Sequence, residues 1–258
     1  MGRIWVIVPA AGCGSRFDQD LPKQYTTLLG RSMAEWTLSH LLAMVEFETV
    51  VVVLSEKDAW FSDLAVAALP RLERCAGGRQ RFESVLNGLY HLKDRAEDSD
   101  WVFVHDIARP CIMPEDLKKL ITYCRSQHAG HAIAGVLGAP VADSIKKVTE
   151  CELLGKASHP HSNSTTNNST IHNPTIIEHV KRDPLWRAFT PQVCLYGDLL
   201  QALLSVKESG AMVNDEAEAL AFINKPVAMI EGRTDKIKVT YPNDLSLVEM
   251  FLRDNGFY

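Results

Sequence analysis

Short apolar runs alternate along this chain with longer segments whose apolar positions recur at helical spacing. Ile4-Trp5-Val6-Ile7-Val8 is unbroken and Thr49 to Leu54 nearly so, the pattern of strands buried on both faces of a parallel sheet. Between them, Ser32-Met33-Ala34-Glu35 has the form of a capping box and predicts a helix to about Met44. The alternation continues with a helix near Lys57 to Ala68, a short strand near Leu72 to Ala76, a helix from about Phe82 to Leu92 and a strand from Trp101 to His105. Pro114 to Ser126 reads as a helix with Pro and two acids in its first turn, and His131 to Leu137 as a strand. Strands separated by helices predict an α/β fold, an open, mostly parallel sheet with helices on both faces.

The rhythm breaks between about Val141 and Val180. Ser158 to Asn173 is built almost wholly from Ser, Thr, Asn and His, too polar to order itself by burial. We expect one domain over residues 1–258, with 141–180 as a projecting arm that carries a polar insertion at about 158–173. Helices resume from Gly197 to about Glu208, Asp215 to Phe222 and Asn243 to Arg253, and Val227 to Ile230 and Ile237 to Val239 read as short edge strands.

Composition narrows the function. A net charge of −5 over 258 residues gives no basic surplus for nucleic-acid binding. The six cysteines are scattered with no Cys-x-x-Cys pair, which suits a reduced, cytoplasmic setting. No leader-like pattern precedes the first strand and no apolar run is of membrane-spanning length, so neither secretion nor membrane insertion is expected.

The chemistry concentrates where strands end. After Val8 the chain turns through Pro9-Ala10-Ala11-Gly12-Cys13-Gly14-Ser15-Arg16, with Pro22-Lys23-Gln24-Tyr25 following. Gly12 and Gly14 let backbone N–H groups approach phosphate oxygens, and Arg16 and Lys23 add a planar fork and a mobile point charge. The place of a third glycine in a dinucleotide fingerprint is taken by Phe17, so a triphosphate cradle fits better than a dehydrogenase turn. Gly77-Gly78, leading into a helix bearing Ser84, forms a second glycine turn suited to a base or ribose. Asp106 follows a buried strand at the edge where open α/β sheets bind ligands, and is a candidate magnesium ligand. Asp235 offers a second carboxylate and Lys238 a phosphate contact; a solvated charged turn is the alternative for that segment. Magnesium keeps several waters, so two carboxylates plus phosphate oxygens suffice.

These segments, with His105-Asp106-Ile107-Ala108-Arg109-Pro110, Ala139-Pro140-Val141-Ala142-Asp143, Thr190-Pro191-Gln192, Asp215-Glu216-Ala217 and the run from Glu231 to Thr240, resemble in order the 2-C-methyl-D-erythritol 4-phosphate cytidylyltransferase family nearly end to end. The resemblance implies a Rossmann-like nucleotidyltransferase fold and transfer of CMP from CTP to methylerythritol phosphate, with release of pyrophosphate. It implies that Arg16, Lys23 and Lys238 stabilise charge in the reaction, and that Ala10, Ala11, Gly12, Gly14, Gly78 and Ser84 hold the nucleotide. Asp106 and Asp235 would face Mg²⁺, while Arg109, Arg182, Thr190 and Lys238 would bind the sugar phosphate. It further implies a homodimer in which the arm hooks around a second subunit and lends Arg182 to the neighbouring site.

The inventory agrees with that chemistry. A phosphate monoester is already anionic near neutral pH, so catalysis reduces to alignment and charge stabilisation, and no nucleophile–base pair is required. Alternatives are transfer of CMP to ribitol 5-phosphate, which shares the CTP motifs, and a non-catalytic nucleotide-binding module. In this chain Asn214 precedes Asp215 where the family often has threonine, and Ile107 stands where it has a smaller residue.

Overall fold

The computed structural model describes residues 2–12, 21–127, 134–149 and 175–256. Its elements are β1 (Ile4–Pro9), β2 (Thr27–Leu28), β3 (Arg31–Ser32), α1 (Met33–Leu42), β4 (Thr49–Leu54), β5 (Leu72–Ala76), α2 (Arg81–Leu92), β6 (Trp101–Val104) and α3 (Pro114–Ser126). There follow β7 (Ala134–Pro140), β8 (Ile145–Val148), β9 (Ile176–Val180), β10 (Trp186–Leu195), α4 (Tyr196–Ser209), α5 (Glu216–Phe222), β11 (Val227–Glu231) and α6 (Asp244–Asp254).

Seven strands form one sheet in the order β11-β7-β10-β6-β1-β4-β5. β1 lies between β4 and β6, parallel to both, and β4 to β5 and β7 to β11 are also parallel; β10 runs antiparallel to β6. Strand alternation divides the core. Ile4, Val6, Val8, Val50 and Val52 face a layer completed by α1 and α3, whereas Trp5, Ile7, Val51 and Val53 face one completed by α2, α4 and α5. Runs buried on both faces are what the apolar stretches of β1 and β4 demand. A third, smaller cluster seats α6 through Val248 and Leu252 against Leu28, Met33, Trp36 and Val239.

The local signals explain most boundaries. Ser32 Oγ accepts the Glu35 N–H at 3.2 Å while Glu35 Oε2 accepts the Ser32 N–H at 2.9 Å, the reciprocal cap that starts α1. Asp215 caps α5 by accepting the Glu218 N–H at 2.9 Å, and Gly210, with φ of 70°, closes α4 in the left-handed conformation.

Three segments differ from expectation. The helix expected over residues 57–68 is instead two 3-10 turns, Phe61–Asp63 and Ala65–Ala68, separated by an extended Leu64. Asp58 Oδ1 accepts the N–H groups of Trp60 and Phe61 at 3.2 and 2.9 Å, offering the backbone an alternative to helix. Phe61 and Val66 both reach the core; five residues apart on an α-helix they would point about 140° apart. The strand expected over residues 237–239 forms no ladder: Val239 N–H donates to Ala108 C=O at 2.9 Å, and the buried Val239 side chain holds the segment down. Conversely β10 lies in a stretch to which the sequence pattern assigns no element; it contains Pro191 and pairs with β6 through residues 192–195, beyond the proline.

The chain divides into two compact units, Met1–Ala139 with Ala188–Tyr258, and Pro140–Arg187. The second contains an antiparallel ribbon of β8 and β9, in which Ile145 faces Val180 and Lys147 faces Glu178. The Val141 N–H donates to Leu185 C=O at 3.0 Å and Arg182 Nη1 to Ala142 C=O at 2.6 Å. The polar insertion at 158–173 lies outside the described residues. Among those described, no helix is long and apolar enough to cross a membrane.

Candidate active site

At the carboxyl end of β1 and its neighbours lies a cavity of about 220 Å³, lined by residues 9–12, 23–24, 78–81, 84, 106–108 and 238. Each wall follows from where its strand ends. The Ala10 N–H still bonds Val53 C=O at 2.8 Å, and the amide of the buried Gln24 donates to Ala10 C=O at 3.0 Å, so the turn after β1 is held before the glycines begin. Among the described residues other than its chain neighbours, no atom stands within 4 Å of where a Cβ would project from Gly12, which suits the approach of an anion to that backbone. The second glycine turn is pressed against the first: a Cβ on Gly77 would meet the Ala11 Cβ at 2.4 Å. Only glycine permits that approach. Ser84 Oγ accepts the Gly78 N–H at 3.1 Å and donates to Gln80 C=O at 3.2 Å, pinning the turn to the start of α2.

Charge gathers on one side of the cavity. Lys23 Nζ donates to Val239 C=O at 3.0 Å, which draws the segment bearing Lys238 beside the first loop. Asp106 is 7% exposed and takes Arg81 Nε on Oδ1 at 3.1 Å and Lys238 Nζ on Oδ2 at 2.7 Å, with Arg109 Nε 3.8 Å from Oδ2. Burial alone would raise the Asp106 carboxyl, but Arg81, Lys238 and Arg109 hold it well below the ordinary carboxylate range. It is anionic at neutral pH.

The backbone of Asp106 is fixed as firmly. Its N–H donates to Thr190 Oγ1 at 3.0 Å, and Thr190 Oγ1 lies 3.1 Å from His105 Nδ1, while His105 Nε2 lies 3.1 Å from Arg109 C=O. The carbonyl can only accept, so Nε2 carries the proton and Nδ1 accepts from Thr190. Burial pushes the His105 pKa down to about 4, and the ring stays neutral. The single Thr190 proton is thereby engaged.

The cavity thus brings together Ala10, Ala11, Gly12, Lys23, Gly78, Ser84, Asp106 and Lys238. Arg109 and Thr190 sit behind Asp106 rather than in the lining; Arg109 Nη1 donates to Lys236 C=O at 2.7 Å. Asp235 is also outside the lining, its carboxylate held by Arg233 Nε at 3.0 and 3.1 Å. Neighbouring Lys236 is buried against Asp116. Arg182 belongs to the 140–187 unit. Arg16 and Gly14 lie outside the described residues. Arg81 was missed as a site residue, although the turn containing it stood out in the sequence. Its partners Asp106 and Glu216 are 25 and 135 residues away, and no local pattern announces them.

A glycine-lined cavity with lysines at two of its edges and one anionic carboxylate suits a polyphosphate with a hard cation. The family model of 2-C-methyl-D-erythritol 4-phosphate cytidylyltransferase, IspD, matches residues 4–159 and 165–254. The chain belongs to the 2-C-methyl-D-erythritol 4-phosphate cytidylyltransferase family. A cytidylyltransferase of that name from Hahella chejuensis is 38% identical over 251 residues, 97% of this chain and 93% of the relative. Another from Pseudoalteromonas translucida is 40% identical over 250 residues, covering 97% and 91%. The crystal structure of the Francisella tularensis cytidylyltransferase superposes with a TM-score of 0.76 at 28% identity, covering 97% of this chain and all of that one. Membership of the cytidylyltransferase family makes the chain a nucleotidyltransferase and accounts for the open α/β sheet.

Proposed function

We propose that the chain transfers CMP from CTP to the phosphate of 2-C-methyl-D-erythritol 4-phosphate, giving 4-diphosphocytidyl-2-C-methyl-D-erythritol and pyrophosphate for isoprenoid biosynthesis. The observation that carries this reading is the cavity in which two glycine turns, Lys23, Lys238 and the ionised Asp106 converge. Residues 10–12 and 78 present backbone to the nucleotide, with Ser84 setting the second turn. Lys23 and Arg16 offset charge on the departing pyrophosphate. Lys238 moves from Asp106 toward phosphate, which its exposed and flexible side chain permits.

Mg²⁺ is the cation we propose, since Asp106 is a hard oxygen donor inside the cavity and triphosphate oxygens and waters complete such a site. Among the described residues no group of three His, Cys, Asp or Glu side chains makes a cage of its own, so the donor set fits a cation carried by the nucleotide. Asp235 would join only after leaving Arg233. When bound, the cation offsets negative charge on the triphosphate.

The acceptor arrives already ionised and needs no base; Arg109 and Lys238 supply positive charge, and the proton of Thr190 stays on His105. Thr190 then acts on the acceptor through the backbone of Asp106 that it anchors. We further propose a homodimer in which the 140–187 unit supplies Arg182 to the partner, and a cytoplasmic setting, which agrees with the unpaired Cys75, Cys111, Cys124 and Cys194.

Pyrophosphate release measured with CTP and Mg²⁺, offering methylerythritol 4-phosphate and ribitol 5-phosphate in parallel, tests the reaction. Turnover with methylerythritol phosphate alone is expected. Turnover only with ribitol phosphate would move the chain to the sister activity, and none with either would leave a nucleotide-binding module.

A further inference from the structure

Three cations surround Asp106; Arg109 Nε stands off at 3.8 Å, and the two at hydrogen-bond distance, Arg81 and Lys238, differ in kind. Lys238 reaches Oδ2 on a flexible stem and its side chain is 43% exposed. Arg81 reaches Oδ1 through Nε, while Nη1 and Nη2 donate to Oε1 and Oε2 of Glu216 at 2.7 and 3.2 Å. Glu216 is 2% exposed and occupies the first position of α5. The next residue, Ala217, donates its N–H to Gln192 Oε1 at 2.8 Å, and Gln192 is the β10 partner of Val104, the last residue of β6. The contacts close a ring: Asp106 to Arg81, Arg81 to Glu216, the start of α5 to β10, and β10 back to the strand that delivers Asp106. This ring gives the Asp215-Glu216-Ala217 motif a task that the reaction itself does not.

We infer that Glu216 and Arg81 form a fixed strut that orients the Asp106 carboxylate toward a divalent cation borne by a nucleoside triphosphate, with Lys238 as the contact that gives way. The inference rests on the proposed reading of Asp106 as the cation-facing residue. A carboxylate has about four lone-pair positions; Arg81 takes one on Oδ1 and Lys238 one on Oδ2, so each oxygen keeps one for a metal. Arginine alone can serve two carboxylates at once in a set geometry, because its donors lie in a rigid plane. Glu216 keeps that plane from turning into the cavity to follow an incoming phosphate. Arg81 and Glu216 are positioning residues; neither is placed on the reacting atoms.

The test is calorimetric titration of the full chain with CTP in Mg²⁺ and again in EDTA, with Glu216→Gln, Arg81→Lys, the double variant, and Asp106→Asn as control. Thermal melting by circular dichroism is recorded for each. The strut predicts that Glu216→Gln and Arg81→Lys reduce the gain in CTP affinity conferred by Mg²⁺ by about tenfold, the usual cost of losing a group that orients a metal ligand. Affinity of Glu216→Gln, which lies outside the cavity lining, stays within about twofold in EDTA, and the double variant is no worse than Arg81→Lys alone, since both changes break one connection. An equal fall in both media, in either single variant, would make the pair merely structural and overturn the inference. A gain that Asp106→Asn removes but both strut variants leave intact would overturn the strut while sparing the reading of Asp106. A wild-type chain with no gain from Mg²⁺ would overturn both.

Discussion

The carboxyl edge of the sheet and the β8–β9 ribbon treat charge and apolar surface in opposite ways. At the sheet edge, Asp106, Glu216 and His105 are buried and every one is hydrogen-bonded. On the ribbon, Lys147 and Glu178 pair at 3.6 Å with both side chains more than half exposed, and Ile176 and Ile177 are exposed, Ile177 at 58%. Buried ions act only where their partners hold them, so the sheet edge is a rigid device. Exposed pairs contribute about 0–1 kcal/mol, and a lone two-stranded ribbon is marginal in water. What shapes the first region is internal; the second presents surface for something else to cover, which the proposed second subunit would do.

Changes in the two regions should therefore part company. The largest loss of stability is expected inside the sheet: Leu89→Ala, at a fully buried site on α2, should cost about 2–5 kcal/mol, measured as a shift in urea unfolding. Next is a proton effect. Burial lowers the His40 pKa from 6.5 to about 4, and its Nδ1 lies 3.1 Å from Pro110 C=O. Between those values the unfolded chain binds the extra proton, so stability rises with pH through the window, is complete above about 6.5 and is lost toward 4. The contribution is about 3 kcal/mol, and His40→Gln should reduce the slope of the unfolding free energy over that range, leaving the part that the buried His105 supplies. Ser32→Ala removes the α1 cap and should cost about 1 kcal/mol, read by thermal melting. Smallest for the folded unit itself is Ile177→Ser on the ribbon, within about 0.5 kcal/mol, while sedimentation at falling concentration should show the proposed dimer dissociating earlier in the variant than in wild type. A ribbon change that melts the sheet as deeply as Leu89→Ala would break the contrast.

The same contrast governs what could be read from the chain. β1, β4, β5, the α1 cap and α3 were legible because their signals are local: apolar runs, a Ser-x-x-Glu box, a proline followed by acids. Lys23, Gly78 and Asp106 were legible because each stands at a strand end or turn, and Lys238 because its charge lies in the distinctive run from Glu231 to Thr240. The Arg81–Glu216 strut was not, since its meaning depends on contacts across 135 residues, nor was the His105–Thr190 link, which joins positions 85 apart. Asp58 defeated the helix expected around it through two side-chain bonds, and β10 carries a proline, a residue that interior strands avoid. The ribbon strands went unrecognised because neither face is buried enough to impose an alternating pattern.

The most direct test of the central claim is turnover by Lys23→Ala. Phosphorus NMR of CTP, methylerythritol 4-phosphate and Mg²⁺ with wild-type protein should show pyrophosphate and a new phosphodiester anhydride appearing in equal amounts. With Lys23→Ala the rate should fall by at least about a hundredfold, the scale for losing one charge-stabilising donor, at an unchanged melting temperature. A variant that melts like wild type and still turns over at the wild-type rate would contradict the assignment of this cavity as the site of cytidylyl transfer.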